Sequence, residues 1–64
     1  MDLHDREVQV LDAAARGLTT RQTGAELFLS ADTVKTYRRR VLQRTGAKNM
    51  TQAVAMWRTI NGSS

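Results

Sequence analysis

The chain has 64 residues, with ten lysines and arginines, six aspartates and glutamates, and no cysteine. This length supports one small domain, and a single histidine (His4) without cysteine excludes both a disulfide scaffold and a Cys/His zinc finger. No apolar run approaches the roughly 20 residues of a membrane span, and the N-terminus lacks the apolar stretch of a signal peptide. We therefore expect residues 1–64 to form a single soluble module that is neither an enzyme nor a cofactor or metal-binding protein.

The charge is distributed unevenly along the chain. Residues 1–32 hold all six acidic residues and three bases, a net charge of −3, whereas residues 33–64 hold seven bases and no acid, a net charge of +7. Six of these seven bases fall between Lys35 and Lys48. Such an asymmetry indicates a polyanionic partner, either nucleic acid or an anionic membrane surface. A basic face that only keeps the protein soluble is the alternative.

Apolar spacing and helix-end signals predict two helices in the first half. The first is expected from residue 4 or 5 to residue 16, with acidic side chains in its first turn and Gly17 at its end. Its apolar stripe recurs at steps of three and four residues: Val8, Leu11, Ala14 or Ala15, and Leu18. The second is expected over residues 20–28 with Thr19 as its N-cap.

Two further helices are predicted in the second half. The third follows Ser30 as N-cap, covers about residues 31–44 and ends at Gly46. One side of it is apolar, and the other carries Lys35, Thr36, Arg39 and Gln43. The fourth is expected over about residues 51–60 with Thr51 as N-cap and residues 61–64 as a frayed end.

The short connection over residues 28–30 predicts that the second and third helices form a helix-turn-helix. Gly24 in the second helix would let another helix approach closely. The fold class is therefore expected to be all-α, a four-helix helix-turn-helix domain without a wing. The third helix carries no acid after Asp32, which is typical of a helix that enters the DNA major groove.

Several segments carry a more specific signal. These are residues 6–11 (REVQVL), 15–22 (ARGLTTRQ), 27–35 (LFLSADTVK), 46–47 (GA) and 52–54 (QAV). Together they closely resemble the LuxR/GerE-type helix-turn-helix, over roughly residues 3–57. The resemblance implies a transcriptional regulator that binds double-stranded DNA with its third helix.

The resemblance also implies roles for individual residues. Carried over by position, it implies base contacts from Lys35, Thr36 and Arg39. It implies backbone contacts from Thr20, Arg21, Thr33, Tyr37, Arg38 and Arg40. Members often dimerise through the fourth helix, which here implies a homodimer contact formed by Ala53, Met56, Trp57 and Ile60. The implied location is cytoplasmic and nucleoid-associated, in a bacterium or phage, with no membrane partner.

The chain departs from the family pattern at several positions. A threonine usually caps the first helix at the position of His4, so Asp2 or Asp5 is expected to replace it. Ile and Ala usually stand at the positions of Thr23 and Gly24. Glycine lowers helix stability by about 1 kcal/mol relative to alanine.

The same residues also fit other interpretations. The Tyr37 ring belongs on the core side of its helix, so a half-buried ring competes with a DNA contact. Met56 and Trp57 fit a core as well as an interface. Two other functions are a sigma-factor-like promoter-recognition module that contacts RNA polymerase, and a protein-binding module that acts through the fourth helix.

Overall fold

The computed structural model describes residues 3–60. Asp2, considered above as a cap, and residues 61–64, expected to fray, lie outside the described residues. Within residues 3–60 the chain forms four helices and no strand: α1 (Asp5–Ala15), α2 (Thr20–Leu27), α3 (Ala31–Thr45) and α4 (Met50–Ile60). The predicted all-α, four-helix order is confirmed. None of these four helices has the length and apolar character needed to cross a bilayer.

The starts of α2 and α3 are fixed by the predicted caps. Thr19 Oγ1 accepts a hydrogen bond from the Gln22 N–H at 3.1 Å, and Gln22 Oε1 accepts one from the Thr19 N–H at 2.9 Å. This is a reciprocal capping box, which satisfies two backbone donors that helix geometry leaves unpaired. Ser30 Oγ accepts from the Thr33 N–H at 3.1 Å. The N-cap predictions at residues 19 and 30 are therefore confirmed.

The start of α4 differs from the prediction. The helix begins at Met50, and its cap is Asn49, whose Oδ1 accepts from the Gln52 N–H at 2.8 Å. Gln52 Oε1 in turn accepts from the Lys48 N–H at 2.6 Å. Thr51 lies inside the helix, so its prediction as N-cap is wrong. Asparagine caps at least as well as threonine, and the glutamine three residues after it completes the pair.

The core lies where α1, α3 and α4 meet. The buried side chains at this junction are small or medium in size, and they form one cluster: Leu11, Val41, Ala47 and Ala53. Six partly buried apolar side chains pack against this cluster: Leu3, Leu42, Met50, Val54, Met56 and Trp57. Because the enclosed residues are small, close approach of the helices depends on alanines as much as on the larger side chains.

The buried face of α1 is wider than the predicted stripe. Leu11 is fully buried as expected, but Val10 and Ala13 are also fully buried. The other stripe residues are only partly buried: Val8, Ala14, Ala15 and Leu18. The reason is that α1 packs against both α3 and α4, so it buries two adjacent faces rather than one.

The turn between α2 and α3 is built on Gly24. The N–H groups of Phe28 and Leu29 both donate to the Gly24 carbonyl, and Phe28 adopts the left-handed conformation with φ of 59°. A Cβ atom on Gly24 would lie 2.4 Å from the Leu29 carbonyl oxygen. Gly24 therefore admits the backbone of the turn, and the expectation that it admits another helix is wrong.

A buried carboxylate joins the start of α1 to the end of α3. Glu7 is only 1% exposed. Its Oε1 accepts from the backbone N–H of His4, the N-cap residue of α1, at 3.0 Å. Arg44 Nε, in the last turn of α3, lies 2.9 and 3.0 Å from the two Glu7 oxygens. Glu7 thus pairs with a backbone N–H group at the start of α1, the role that was expected of Asp2 or Asp5.

The environment of Glu7 favours its ionised form. Burial raises the pKa of Glu7, but the hydrogen bonds from His4 and Arg44 and the charge of Arg44 lower it more, so the pKa lies below the ordinary 4.5. A folded-state pKa below the unfolded one means that ionised Glu7 stabilises the fold above its unfolded pKa. This contribution is lost as the pH falls through the folded-state pKa.

We expect Gly24→Ala to lower the free energy of unfolding, although alanine favours a helix by about 1 kcal/mol over glycine. The added methyl group must displace the Leu29 carbonyl and so disturbs the turn that places α3. Urea denaturation followed by circular dichroism measures the change. The control is Ala25→Gly at the exposed neighbouring position, which loses only about 1 kcal/mol of helix propensity. A Gly24→Ala protein that is more stable than wild type would contradict the close contact.

We expect Glu7→Gln to lower the free energy of unfolding at neutral pH by about 2 kcal/mol, since a hydrogen bond to a charged group contributes roughly that much. Stability should also depend less on pH below about 4.5 in this variant. Denaturation curves over a series of pH values measure both effects. The matched control is Glu26→Gln, which removes an exposed carboxylate paired with Arg16. Solvent screens that pair, so equal losses in the two variants would argue against the role of burial.

Candidate nucleic-acid interface

The face of α3 opposite the buried Val34 and Val41 is polar. Its five side chains are spaced by three and four residues and form what we call the α3 ridge: Asp32, Lys35, Thr36, Arg39 and Gln43. All are exposed except Thr36, which is partly buried and donates from Oγ1 to the Asp32 carbonyl at 3.2 Å. The ridge contains the three residues predicted to contact bases. Its side chains offer a lysine donor, an arginine fork, a hydroxyl, an amide and a carboxylate.

A basic depression of about 530 Å³ lies beside the α3 ridge, where the start of α2 meets α3 and the α3–α4 connection. Its polar lining residues are Thr20, Lys35, Arg38, Arg39, Lys48 and Asn49. Four of these are cationic, and none of the described residues that line it is acidic. A concave surface that carries one sign of charge concentrates counter-ions such as phosphate.

Arg38 and Thr20 are in direct contact within the basic depression. Arg38 Nη1 donates to Thr20 Oγ1 at 2.8 Å. This hydrogen bond joins α3 to the first residue of α2, and it places two predicted backbone-contacting residues side by side. Arg21, the next residue of α2, is exposed and makes no ion pair or side-chain hydrogen bond within residues 3–60.

Three other predicted backbone-contacting residues lie away from the basic depression. The Arg40 guanidinium stacks over the Tyr37 ring, 5.6 Å from its centroid, a cation–π arrangement. Tyr37 is partly buried, which agrees with a ring on the core side of the helix, while Arg40 is exposed. Thr33 accepts a hydrogen bond from the Ser30 hydroxyl at 2.9 Å at the start of α3. These residues belong to another side of α3 than Arg38.

Lys48 and Asn49 are absent from the predicted site residues, yet the fold brings both into the basic depression. α3 ends at Thr45, and its C-cap residue Gly46, with a φ of 76°, turns the chain back towards the start of α4. Asn49 is held there by its capping hydrogen bond. Lys48 is exposed. In the sequence, Lys48 is the last basic residue of the run that starts at Lys35. Nothing in the local sequence indicates that the α3–α4 connection lies on the same side of the domain as the α3 ridge.

The predicted dimer residues of α4 do not form one exposed surface. Ala53 is fully buried in the core of its own chain, so its prediction as an interface residue is wrong. Met56 and Trp57 are partly buried against the core cluster. Ile60 is 57% exposed and is the member of the set most available to a partner.

Comparison with known proteins matches residues 1–57 to the family described as bacterial regulatory proteins, luxR family. The chain is 41% identical over 51 residues to the uncharacterized transcriptional regulatory protein YvfU of Bacillus subtilis (strain 168), covering 80% of this chain and 26% of that protein. It is 45% identical over 49 residues to the uncharacterized transcriptional regulatory protein YxjL of the same strain, covering 77% and 22%. It is 35% identical over 52 residues to the virulence factors putative positive transcription regulator BvgA of Bordetella pertussis, covering 81% and 25%.

The chain spans about a quarter of the length of these relatives. The matched segment includes the α3 ridge and the basic depression. It also includes all four helices, apart from the last three residues of α4. These matches support the DNA-binding, transcription-regulating role that the sequence resemblance implies. The chain belongs to the luxR family of bacterial regulatory proteins.

Proposed function

We propose that this domain binds double-stranded DNA in a sequence-specific manner and regulates transcription, with α3 as the recognition helix in the major groove. The observation that carries the proposal is the position of the polar α3 ridge directly beside the basic depression. The major groove admits an α-helix and displays a different pattern of donors and acceptors for each base pair. Phosphates line both edges of that groove, so basic side chains beside an inserted helix come close enough to neutralise them.

In this arrangement the α3 ridge reads base edges. Arg39 and Lys35 donate to guanine O6 and N7, and the arginine fork can make two parallel hydrogen bonds to one guanine. Thr36, one turn from the start of the ridge, contacts a neighbouring base pair. All three residues lie on the same side of α3, so a single docking pose presents them together.

The basic depression holds the DNA backbone. Arg38 and Lys48 in the depression, with Arg21 next to Thr20 on α2, donate to phosphates of one strand, and Thr20 orients Arg38 through their hydrogen bond. The start of α2, with unpaired N–H groups and a positive dipole end, adds to this site. Tyr37, Arg40 and Thr33 contact the phosphates across the groove.

Residues 1–64 act as one DNA-binding domain, and two copies pair through α4 when bound. The contact uses Ile60 with the accessible parts of Met56 and Trp57. A twofold pair would recognise two half-sites about 34–36 Å apart, one helical turn of DNA. A protein that binds bacterial DNA in this way acts in the cytoplasm, at the nucleoid.

We expect Arg39→Ala and Lys48→Ala to weaken DNA binding in different ways. Loss of a base contact at Arg39 should cost about 1–3 kcal/mol on the preferred sequence and relax selectivity at one base pair. Loss of a phosphate contact at Lys48 should weaken binding to all duplexes alike and reduce the slope of log affinity against log salt by about 0.9. Fluorescence anisotropy on matched and mismatched duplexes at several salt concentrations measures both effects.

Arg6→Ala is the control, because Arg6 lies on α1, outside the basic depression, and pairs with Gln9. It should leave the affinity and the salt slope nearly unchanged. Duplex affinity that is independent of salt, or unaffected by either test substitution, would contradict the proposal. Capture of RNA polymerase without DNA would favour a promoter-recognition module instead. Activity that survives both test substitutions but is lost in Trp57→Ala would favour a protein-binding module.

A further inference from the structure

Asp32 is the only acidic residue of α3, and its carboxylate is exposed. This carboxylate makes no ion pair and accepts no hydrogen bond within the described part of the chain. It lies on the α3 ridge, three residues before Lys35 and four before Thr36. The other five charged residues of α3 are all basic.

A carboxylate at this place opposes attraction to phosphate. Its interaction with the helix dipole favours the fold only slightly, and Ser30 already caps the helix. An acidic residue at position 31, which is also exposed and in the first turn, would interact favourably with the helix dipole without placing a charge on the α3 ridge. The dipole therefore does not explain why the charge stands at position 32.

We propose that Asp32 determines sequence specificity by accepting a hydrogen bond from the N4 amine of a cytosine in the major groove. This inference rests on the proposed function, because it requires α3 to enter that groove. N-terminal residues of a recognition helix contact base edges. Since Lys35 and Thr36 lie one turn further along the same ridge, the cytosine lies within one or two base pairs of those they contact.

The chemistry of the base edges selects cytosine. An ionised carboxylate only accepts hydrogen bonds. Guanine presents the acceptors O6 and N7, and thymine presents O4, so both repel it. Adenine has an N6 donor, but its N7 acceptor lies on the same edge. Cytosine presents its N4 donor and no acceptor of its own.

Asp32 therefore lowers affinity for DNA in general and raises the preference for one class of site. On a duplex without the cytosine, the carboxylate loses its hydration and gains no partner, while it repels nearby phosphates. On a duplex with the cytosine, the N4 amine replaces the lost water. The ratio between specific and non-specific binding increases for both reasons.

The test is selection of bound sequences from random duplexes, carried out with the wild-type domain and Asp32→Ala. Duplexes that differ only at the selected position are then compared by fluorescence anisotropy. We expect the wild type to prefer cytosine at one position per half-site by about tenfold, the usual cost of one mismatched base pair. In Asp32→Ala that preference should fall to less than about twofold, with tighter binding to the mismatched duplexes and the positions read by Lys35 and Arg39 unchanged.

Asp5→Ala is the matched control. Asp5 is an exposed acid in the first turn of α1, so the substitution makes the same change of charge at a helix start without touching the α3 ridge. It should leave the base preferences unchanged. Thermal unfolding of all three proteins shows whether each is folded at the assay temperature.

Two results would overturn the inference while leaving the proposed function intact. One is a wild-type consensus without a cytosine that depends on Asp32. The other is an equal rise in affinity for every duplex in Asp32→Ala, which would show simple repulsion rather than base recognition. A wild-type domain that selects no sequence at all would overturn the proposed function itself.

Discussion

The buried Glu7 carboxylate is the contact on which the position of α3 depends. It accepts hydrogen bonds from the backbone N–H of His4, the N-cap residue of α1, and from Arg44 in the last turn of α3. A carboxylate that is 1% exposed is costly without partners, so the two helix ends must stay together for the charge to be satisfied. The other end of α3 is held by the turn on Gly24 and by the hydrogen bond between Arg38 and Thr20. Both ends of α3 are thus held by contacts with other elements of the domain.

The ion pairs of the domain determine which of its basic side chains stay available to a partner. Three acidic residues of the first half form ion pairs within the domain: Glu7 pairs with Arg44 in a buried contact, and Asp12 and Glu26 both pair with Arg16 at the surface. These pairs use two bases and leave Lys35, Arg39 and Lys48 without an ion pair in the described part of the chain. The excess of positive charge is thus concentrated beside the α3 ridge, where it strengthens attraction to a polyanion.

Local sequence signals were sufficient for the order of the helices and for the caps at Thr19 and Ser30. They failed where two signals competed, since Asn49 and Thr51 both fit a cap and only the pairing with Gln52 decides between them. The sequence also indicated correctly that Gly24 is a site of close approach. It did not indicate what approaches, because that group is the backbone carbonyl of Leu29, five residues further along the chain.

Side chains on one helix were easier to predict than those brought together by the fold. The common side of Lys35, Thr36 and Arg39 follows from helix periodicity alone. Lys48 joins them only because the chain reverses at Gly46. Burial of Glu7 was hidden for the same reason, since a glutamate in a first turn is normally exposed and its partner Arg44 lies 37 residues away in sequence.

The position of α3 in the major groove is tested most directly by a nuclear magnetic resonance titration of the domain with its selected duplex. Backbone amide shifts and intermolecular contacts report which residues meet the DNA. We predict the largest changes along residues 31–43 and at Thr20 and Lys48, with contacts from Lys35 and Arg39 to base protons of the major groove. The exposed side of α1, at Arg6 and Gln9, should change little. Changes centred on α1 or α4, with α3 unperturbed, would contradict the assignment of α3 as the recognition helix.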